Sequence, residues 1–324
     1  MKKNLMFLSL ALCFCGSALR GQGAVGQNKQ LSPPFSGNFP VYLSAMPLYD
    51  GAIPNSIPGP NREEEYSDVG RVAIRNVSIP TLTVYLAPQN RSAHSAVVLF
   101  PGGGYTMLAW EYDGTRMAQA LVDHGITVVL VKYRLPSDAT MVNKSIGPLQ
   151  DAQQAIRVTR LHAAEWNLDP HAIGVMGSSA GGHLAATVGT HLSKDYIPNP
   201  DHINLRPDFM VLVFPVISMK IELTHLGSRR ALLGDNPSKE QVELFSNELQ
   251  VAGHTPPTLI LHATDDSAVD VENSVVFYEA LHRHQVAAEA ILFASGDHGF
   301  FNIPRDEWMQ PVFAWMARNG WMKP

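Results

Sequence analysis

Residues 177–181 read Gly-Ser-Ser-Ala-Gly, a G-x-S-x-G spacing centred on Ser179. The apolar run Ile173–Met176 precedes it, and a helix-forming stretch from Ala180 follows. A sharp strand-to-helix bend would project Ser179 from its apex, with residues on either side small enough for strand and helix to touch. The chemistry this permits is attack on a carbonyl. A serine hydroxyl is a weak nucleophile alone. It needs a base to take its proton, a carboxylate to orient that base, and N–H donors for the oxyanion.

The rest of the chain offers each of these. Pro101-Gly102-Gly103-Gly104-Tyr105 ends an earlier apolar run, and its glycines let the backbone come close to a ligand. The N–H groups of Gly103 and Ala180 are the expected oxyanion donors, with Gly104 as the alternate. His298, in Gly296-Asp297-His298-Gly299-Phe300, is the expected base, and Asp265 or Asp266, after the run ending at His262, the expected acid. Ser178 is off-centre in the bend. His183 is four residues past Ser179 on the same helix, the wrong side for a base. His262 reads as a buried strand-end residue, and His282 and His284 as a solvated helix face. Tyr105 and Trp110 follow the glycines and are candidate substrate contacts, with ordinary packing the competing reading for Trp110. The glycine loop lacks a GK[ST] ending, so it does not read as a phosphate cradle. There is no HExxH and no cysteine cluster, so the expectation is no metal and no cofactor.

These groups need a scaffold. Short continuous apolar runs recur at Ala96–Phe100, Ile126–Val131, Ile173–Met176, Phe209–Phe214, Leu259–His262 and Ala290–Phe293. Helical patterns intervene at Thr115–His124, Leu149–Trp166, Ala180–Leu192 and Val271–His284. Apolar strands alternating with helices predict an α/β fold: a mostly parallel central sheet with helices on both faces, spanning residues 66–324. "RVAIRNVSIPTLTVYLAP" has two alternating runs broken by Pro80, the pattern of a short antiparallel pair. The long stretch between Phe209 and Leu259 predicts a short helical lid region over one end of the sheet.

The chain has 324 residues, 45% hydrophobic and 16% charged, with net charge −5. That composition supports a sizeable core and disfavours disorder and nucleic acid as a partner. Residues 1–20 combine Lys2 and Lys3 with an apolar middle and a Gly16-Ser17-Ala18 exit, the pattern of an export signal rather than a membrane span. Both cysteines, Cys13 and Cys15, lie within it. A secreted or periplasmic chain without disulfides is expected, with a lipid on Cys15 and outer-membrane association as the minor alternative. Residues 21–65 are rich in Pro, Gly, Asn and Ser and read as a tether plus an extended segment on the domain surface.

"PGGGY", "KYRLP", the helix Asp151-x-x-x-Ala-Ile-Arg, "GSSAGGHLAA", "TPPTLILHATDDSAVDVENSVVFYEAL" and "GDHGF" together resemble secreted α/β-hydrolases of the acetyl-xylan esterase and xylanase-associated esterase type. The likeness covers roughly residues 40–324. It implies the α/β-hydrolase fold, with the chain order Ser, then Asp, then His. It selects Asp266 over Asp265, since Asp266-x-x-Val269 is the spacing of such relatives, and implies Ser179, Asp266 and His298 as the triad. It implies an acetylated plant saccharide as the substrate. A general carboxylesterase on small acyl esters and a serine peptidase-like hydrolase are the alternatives. Pro101 stands where His is usual, Ser178 where Phe is common, Ala263 where Gly is common, and Asp297 where a second Gly is common. Asp151 and Arg157 are expected to fix helix packing.

Overall fold

The computed structural model describes residues 42–322. The expected export signal lies outside the described residues, as does the part of the expected tether before Tyr42. From Tyr42 the described part of this segment opens with a strand at the sheet edge. Strand β1 (Tyr42–Pro47) pairs antiparallel with β4 (Thr81–Tyr85) at the sheet edge. Leu48 is buried, and Ser56 forms an isolated bridge with Met141.

The two runs around Pro80 do not pair with each other. The first, β3 (Arg71–Arg75), joins β2 (Glu64–Asp68) and β6 (Met107–Leu108) in a small antiparallel sheet, while β4 enters the main one. Alternation shows that one face of a strand is buried, not which neighbour provides its ladder.

The main sheet continues through β5 (Ala96–Phe100), β7 (Thr127–Lys132), β8 (Ile173–Ser178), β9 (Met210–Val213), β10 (Thr258–Ala263) and β11 (Ala288–Phe293). Its order is β1-β4-β7-β5-β8-β9-β10-β11, and the neighbours from β7 to β11 are parallel. Parallel strands require crossovers, and the sequence supplies amphipathic helices for them. Helices α1 (Arg116–Asp123) and α7 (Arg305–Arg318) cover one face; α2 (Gly147–Leu161), α3 (Ser179–Thr190) and α6 (Glu272–Arg283) cover the other. The strand side chains divide accordingly. In β5, Val97 and Leu99 meet α1 and α7, whereas Val98 and Phe100 meet α2 and α3. Burial on both faces explains why the central strands read as unbroken apolar runs. Among the described residues, no helix is long and apolar enough to cross a membrane.

Between β9 and β10 lie two short helices, α4 (Leu226–Leu233) and α5 (Lys239–Phe245). A capping box at Ser238 and Gln241 starts α5. On the other side of the site, Asp151 of α2 is fully buried against Arg134 after β7. Arg134 Nη2 donates to Asp151 Oδ1 at 2.8 Å, and the Arg134 N–H to Oδ2 at 2.8 Å. The pair ties the active-site end of β7 to the helix layer. Arg157, on the exposed side of the same helix, pairs with Asp201.

Candidate active site

The parallel strands β5, β8, β10 and β11 all end on one side of the sheet, and the loops leaving those ends carry the expected site residues. At the end of β8 the chain turns directly into α3 at Ser179, whose φ is +53°. A non-glycine residue there stores roughly 1–3 kcal/mol of strain, and the surrounding structure enforces it. The flanking glycines show how. A Cβ on Gly177 would strike the carbonyl of Gly181, and one on Gly181 the carbonyl oxygen of Phe100. Strand, helix and β5 therefore meet backbone to backbone.

The other two expected residues come to the same place. Ser179 Oγ donates to His298 Nε2 at 3.0 Å, and His298 Nδ1 donates to Asp266 Oδ2 at 2.8 Å, with the ring tautomer assigned from this network. Asp266 sits in the loop after β10. Its Oδ1 accepts the N–H groups of Ala268 and Val269 at 2.9 and 2.8 Å. Its Oδ2 takes a second imidazole, His262 Nε2, at 3.1 Å. Burial pushes the Asp266 carboxyl up, but hydrogen bonds from His262, His298 and the Val269 N–H overcome this and hold it well below the usual carboxylate range. It is thus a fixed anion behind the His298 ring. His262 is fully buried at its strand end, and it also holds the acid. Ser274 Oγ donates to its Nδ1 at 2.7 Å, so its Nε2 hydrogen faces Asp266 and the Val269 carbonyl. Asp265, not part of this chain, accepts the Asp297 N–H.

The glycine loop lies against the bend. A Cβ on Gly102 would come within 3.2 Å of Ser179 Cβ. The Gly102 N–H is already taken by Asp113 Oδ2 at 3.1 Å. Among the described residues, no hydrogen bond occupies the N–H groups of Gly103 or Gly104, and that of Ala180 belongs to the open first turn of α3. Gly103 has φ +126°, and a Cβ there would strike the Met107 carbonyl. Pro101, in place of the usual His, leaves its carbonyl to accept from Tyr133 Oη at 2.7 Å.

Tyr105 is a correction. Its ring is only 2% exposed, edge-on to Tyr133, and its hydroxyl donates to His183 Nδ1 at 2.9 Å. A ring held there offers no open face for stacking on a sugar, and the residue only borders a groove beside the loop. Its value is to lock the loop to α3, whose His183 in turn donates to the Phe245 carbonyl. Trp110 is half-buried and packs against both core layers. The Ser178 side chain is fully buried, and its hydroxyl has no hydrogen-bond partner, so it faces away from solvent.

Three residues at the site have no counterpart in the sequence reading. Trp110–Thr115 forms a π-helical turn that buries Asp113. Burial raises the Asp113 carboxyl to about 6, offset in part by the Gly102 N–H and by the neighbouring His298, Arg305 and Arg71. Tyr112 Oη, from the same turn, donates to the Gly299 carbonyl at 2.8 Å, one residue past His298. Phe214, at the end of β9, places its ring edge-on to His298, centroids 4.8 Å apart. No spacing rule marks these residues, because each acts across the sheet rather than along the chain.

The sheet order and the strand–serine–helix bend define the α/β-hydrolase class. Within it, the chain belongs to the BD-FAE family, whose profile matches residues 82–281. It is 34% identical over 232 residues to endo-1,4-beta-xylanase B of Butyrivibrio fibrisolvens, covering 71% of this chain and 36% of that relative. It is 35% identical over 222 residues to an acetylxylan esterase of Xylanibacter ruminicola, covering 67% and 43%. The chain thus spans less than half the length of these curated relatives. Among solved structures it is similar to an acetyl ester-xyloside bifunctional hydrolase from Caldicellulosiruptor lactoaceticus, at 35% identity and a TM-score of 0.73 over 89% of this chain and 100% of that one.

Proposed function

We propose that the chain is a serine carbohydrate esterase that removes O-acetyl groups from xylan-type saccharides through an acetyl-enzyme. The observation that carries this reading is the unbroken hydrogen-bonded series Ser179, His298, Asp266. The names of the two curated relatives and of the solved neighbour support xylan as the polymer. In this reading His298 takes the Ser179 proton as the oxygen attacks the acetyl carbonyl. Asp266, kept ionised, stabilises the imidazolium and fixes the ring. The N–H groups of Gly103 and Ala180, with Gly104 beside them, receive the oxyanion; one such donor lowers the barrier by roughly 3 kcal/mol. His298 then protonates the departing sugar hydroxyl, and water repeats the cycle on the acetyl-enzyme. The leader-like residues 1–20 support action outside the cytoplasm.

Ser179→Ala tests the assignment. Hydrolysis of p-nitrophenyl acetate should fall to background while the melting curve stays that of the parent chain; activity at the parent level would remove Ser179 from the mechanism. Acetate release from acetylated xylan, mannan, pectin and xyloglucan oligosaccharides then tests the substrate. Release from none of them, with p-nitrophenyl acetate still turned over, would favour a general carboxylesterase.

A further inference from the structure

A groove of about 600 Å³ opens beside the glycine loop, in the size range of small-molecule sites. It borders Tyr105 and Thr106 at one end and the loop after β7 at the other. Three basic side chains line it from distant parts of the chain: Arg62, Lys144 and Arg230. No Asp or Glu is among its lining residues. The chain as a whole has 29 acidic against 24 basic residues, so an all-cationic lining runs against its overall balance.

The groove and the glycine loop share α4 as a neighbour. A Cβ on Gly104 would lie 3.8 Å from His225 Cε1 and 4.0 Å from Ser228 Oγ, so the start of α4 stands over the glycine loop. Arg230 and Ala231, further along that helix, line the groove. The start of α4 thus lies by the glycine loop, and a later part of the same helix lies by the groove.

The cations are available. Among the described residues, Arg62 is exposed and makes no ion pair or hydrogen bond. Lys144 Nζ meets Asp138 Oδ2 at 2.6 Å and Arg230 Nε meets Asp235 Oδ1 at 3.7 Å, but both carboxylates are largely exposed. Pairs with such exposed carboxylates are weak and can exchange for a ligand. A carboxylated sugar would make charge-assisted hydrogen bonds to these cations, which are stronger than those of neutral hydroxyls.

We propose that this groove is a subsite for the carboxylate of a uronic-acid-bearing oligosaccharide, held by Arg62, Lys144 and Arg230, so that the protein prefers acidic over neutral acetylated chains. The proposal rests on the carbohydrate-esterase reading for its place in the reaction, but its binding can be measured apart from it. The full-length Ser179→Ala chain is titrated with a deacetylated xylo-oligosaccharide carrying one uronic acid and with the neutral oligosaccharide of the same length. The acidic ligand should bind roughly tenfold more tightly, as expected for one charge-assisted hydrogen bond net of solvation, and the gap should shrink as salt is raised. Adding Arg62→Ala, Lys144→Ala and Arg230→Ala together should bring the ratio to near one. In the active chain, the kcat/KM ratio for acidic over neutral acetylated substrate should follow the same pattern. Equal binding of the two ligands, or a preference that the triple substitution leaves in place, overturns the subsite. Equal binding with acetate still released from both substrates rejects the subsite alone. Cation-dependent binding without acetate release from any saccharide rejects the esterase reading alone.

Discussion

The two halves of the candidate site are held in place by different forces. On the Ser179 side, every residue of β8 and α3 is buried, and the bend is set by backbone contacts that leave no room for a Cβ at Gly177 or Gly181. On the His298 side, the loop follows β11, an edge strand that is half exposed. There the positions are set by polar links between loops. Asp297 Oδ1 accepts from the Ser267 N–H and hydroxyl at 3.0 and 2.8 Å, and the Asp297 N–H donates to Asp265 Oδ1 at 2.9 Å. These links fasten the loop that carries the acid to the loop that carries the base. One half is placed by exclusion of volume, the other by hydrogen bonds near water, and the two should respond differently to substitution.

The largest expected effect is on the steric half. Gly181→Ala adds one methyl group aimed at the Phe100 carbonyl oxygen. Neither the strand nor the helix can retreat without opening the core, so the cost is expected to reach roughly 3 kcal/mol or more. Thermal melting should show a loss of roughly 10 °C, together with loss of esterase activity. A variant that melts with the parent chain would mean that the bend tolerates movement, and the contrast with the other half would disappear.

Asp113 lies at the seam between the halves. Its Oδ2 holds the Gly102 N–H beside Ser179, and its charge faces His298, Arg305 and Arg71. Its folded value of about 6 is above the roughly 3.9 of an unfolded aspartate. Below both values the group is neutral in either state and costs nothing. As pH rises through about 4 the unfolded chain ionises first, and stability is lost until the folded carboxyl ionises near 6. Above that the deficit is constant, at about 2–3 kcal/mol. Asp113→Asn removes the ionisation and keeps an oxygen for the Gly102 N–H. Denaturant melts should therefore show the variant more stable than the parent at pH 8, with the gain mostly gone at pH 4 and absent near pH 3. A gain of the same size at all three values would show that the charge is not the cause.

The same division explains what the sequence could tell. The steric half is written locally: a bend with no space must have glycines at fixed offsets, so 177–181 and the run of glycines from Gly102 could be found by spacing. The apolar strand runs were legible because burial on both faces admits no polar residue. The polar half leaves no local mark. Asp297 has φ +51°, where glycine is at ease, and looks like a mere departure from a Gly-Gly pair until its links to Ser267 are seen. His262 is readable as buried, but its bond to Asp266 depends on how the loop after β10 closes. The pairing of β3 is not legible for a related reason: which strand provides a ladder is settled by the assembled sheet. Tyr105 is legible as a neighbour of the site from its place after the glycines, but not the burial of its ring against His183 and Tyr133, which depends on how the loop packs on α3.

The smallest effect is also the one that isolates the polar half. Tyr112→Phe removes a single hydroxyl, the donor to the Gly299 carbonyl. The ring itself has other work: it lies 5.0 Å from Phe301 and 4.5 Å under the Arg71 guanidinium, and phenylalanine can keep both contacts. What is lost is the hydrogen bond to the residue following His298, about 1 kcal/mol, together with the hydroxyl's interaction with Arg305. If that link steadies the imidazole against Ser179, kcat should fall by about fivefold with KM little changed, because the geometry of proton transfer suffers and the saccharide contacts do not. The melting temperature should move by only about 2–4 °C. An unchanged kcat would mean that the Asp266, Ser267 and Asp297 links suffice to hold His298, and that the π-helical turn serves the glycine loop alone.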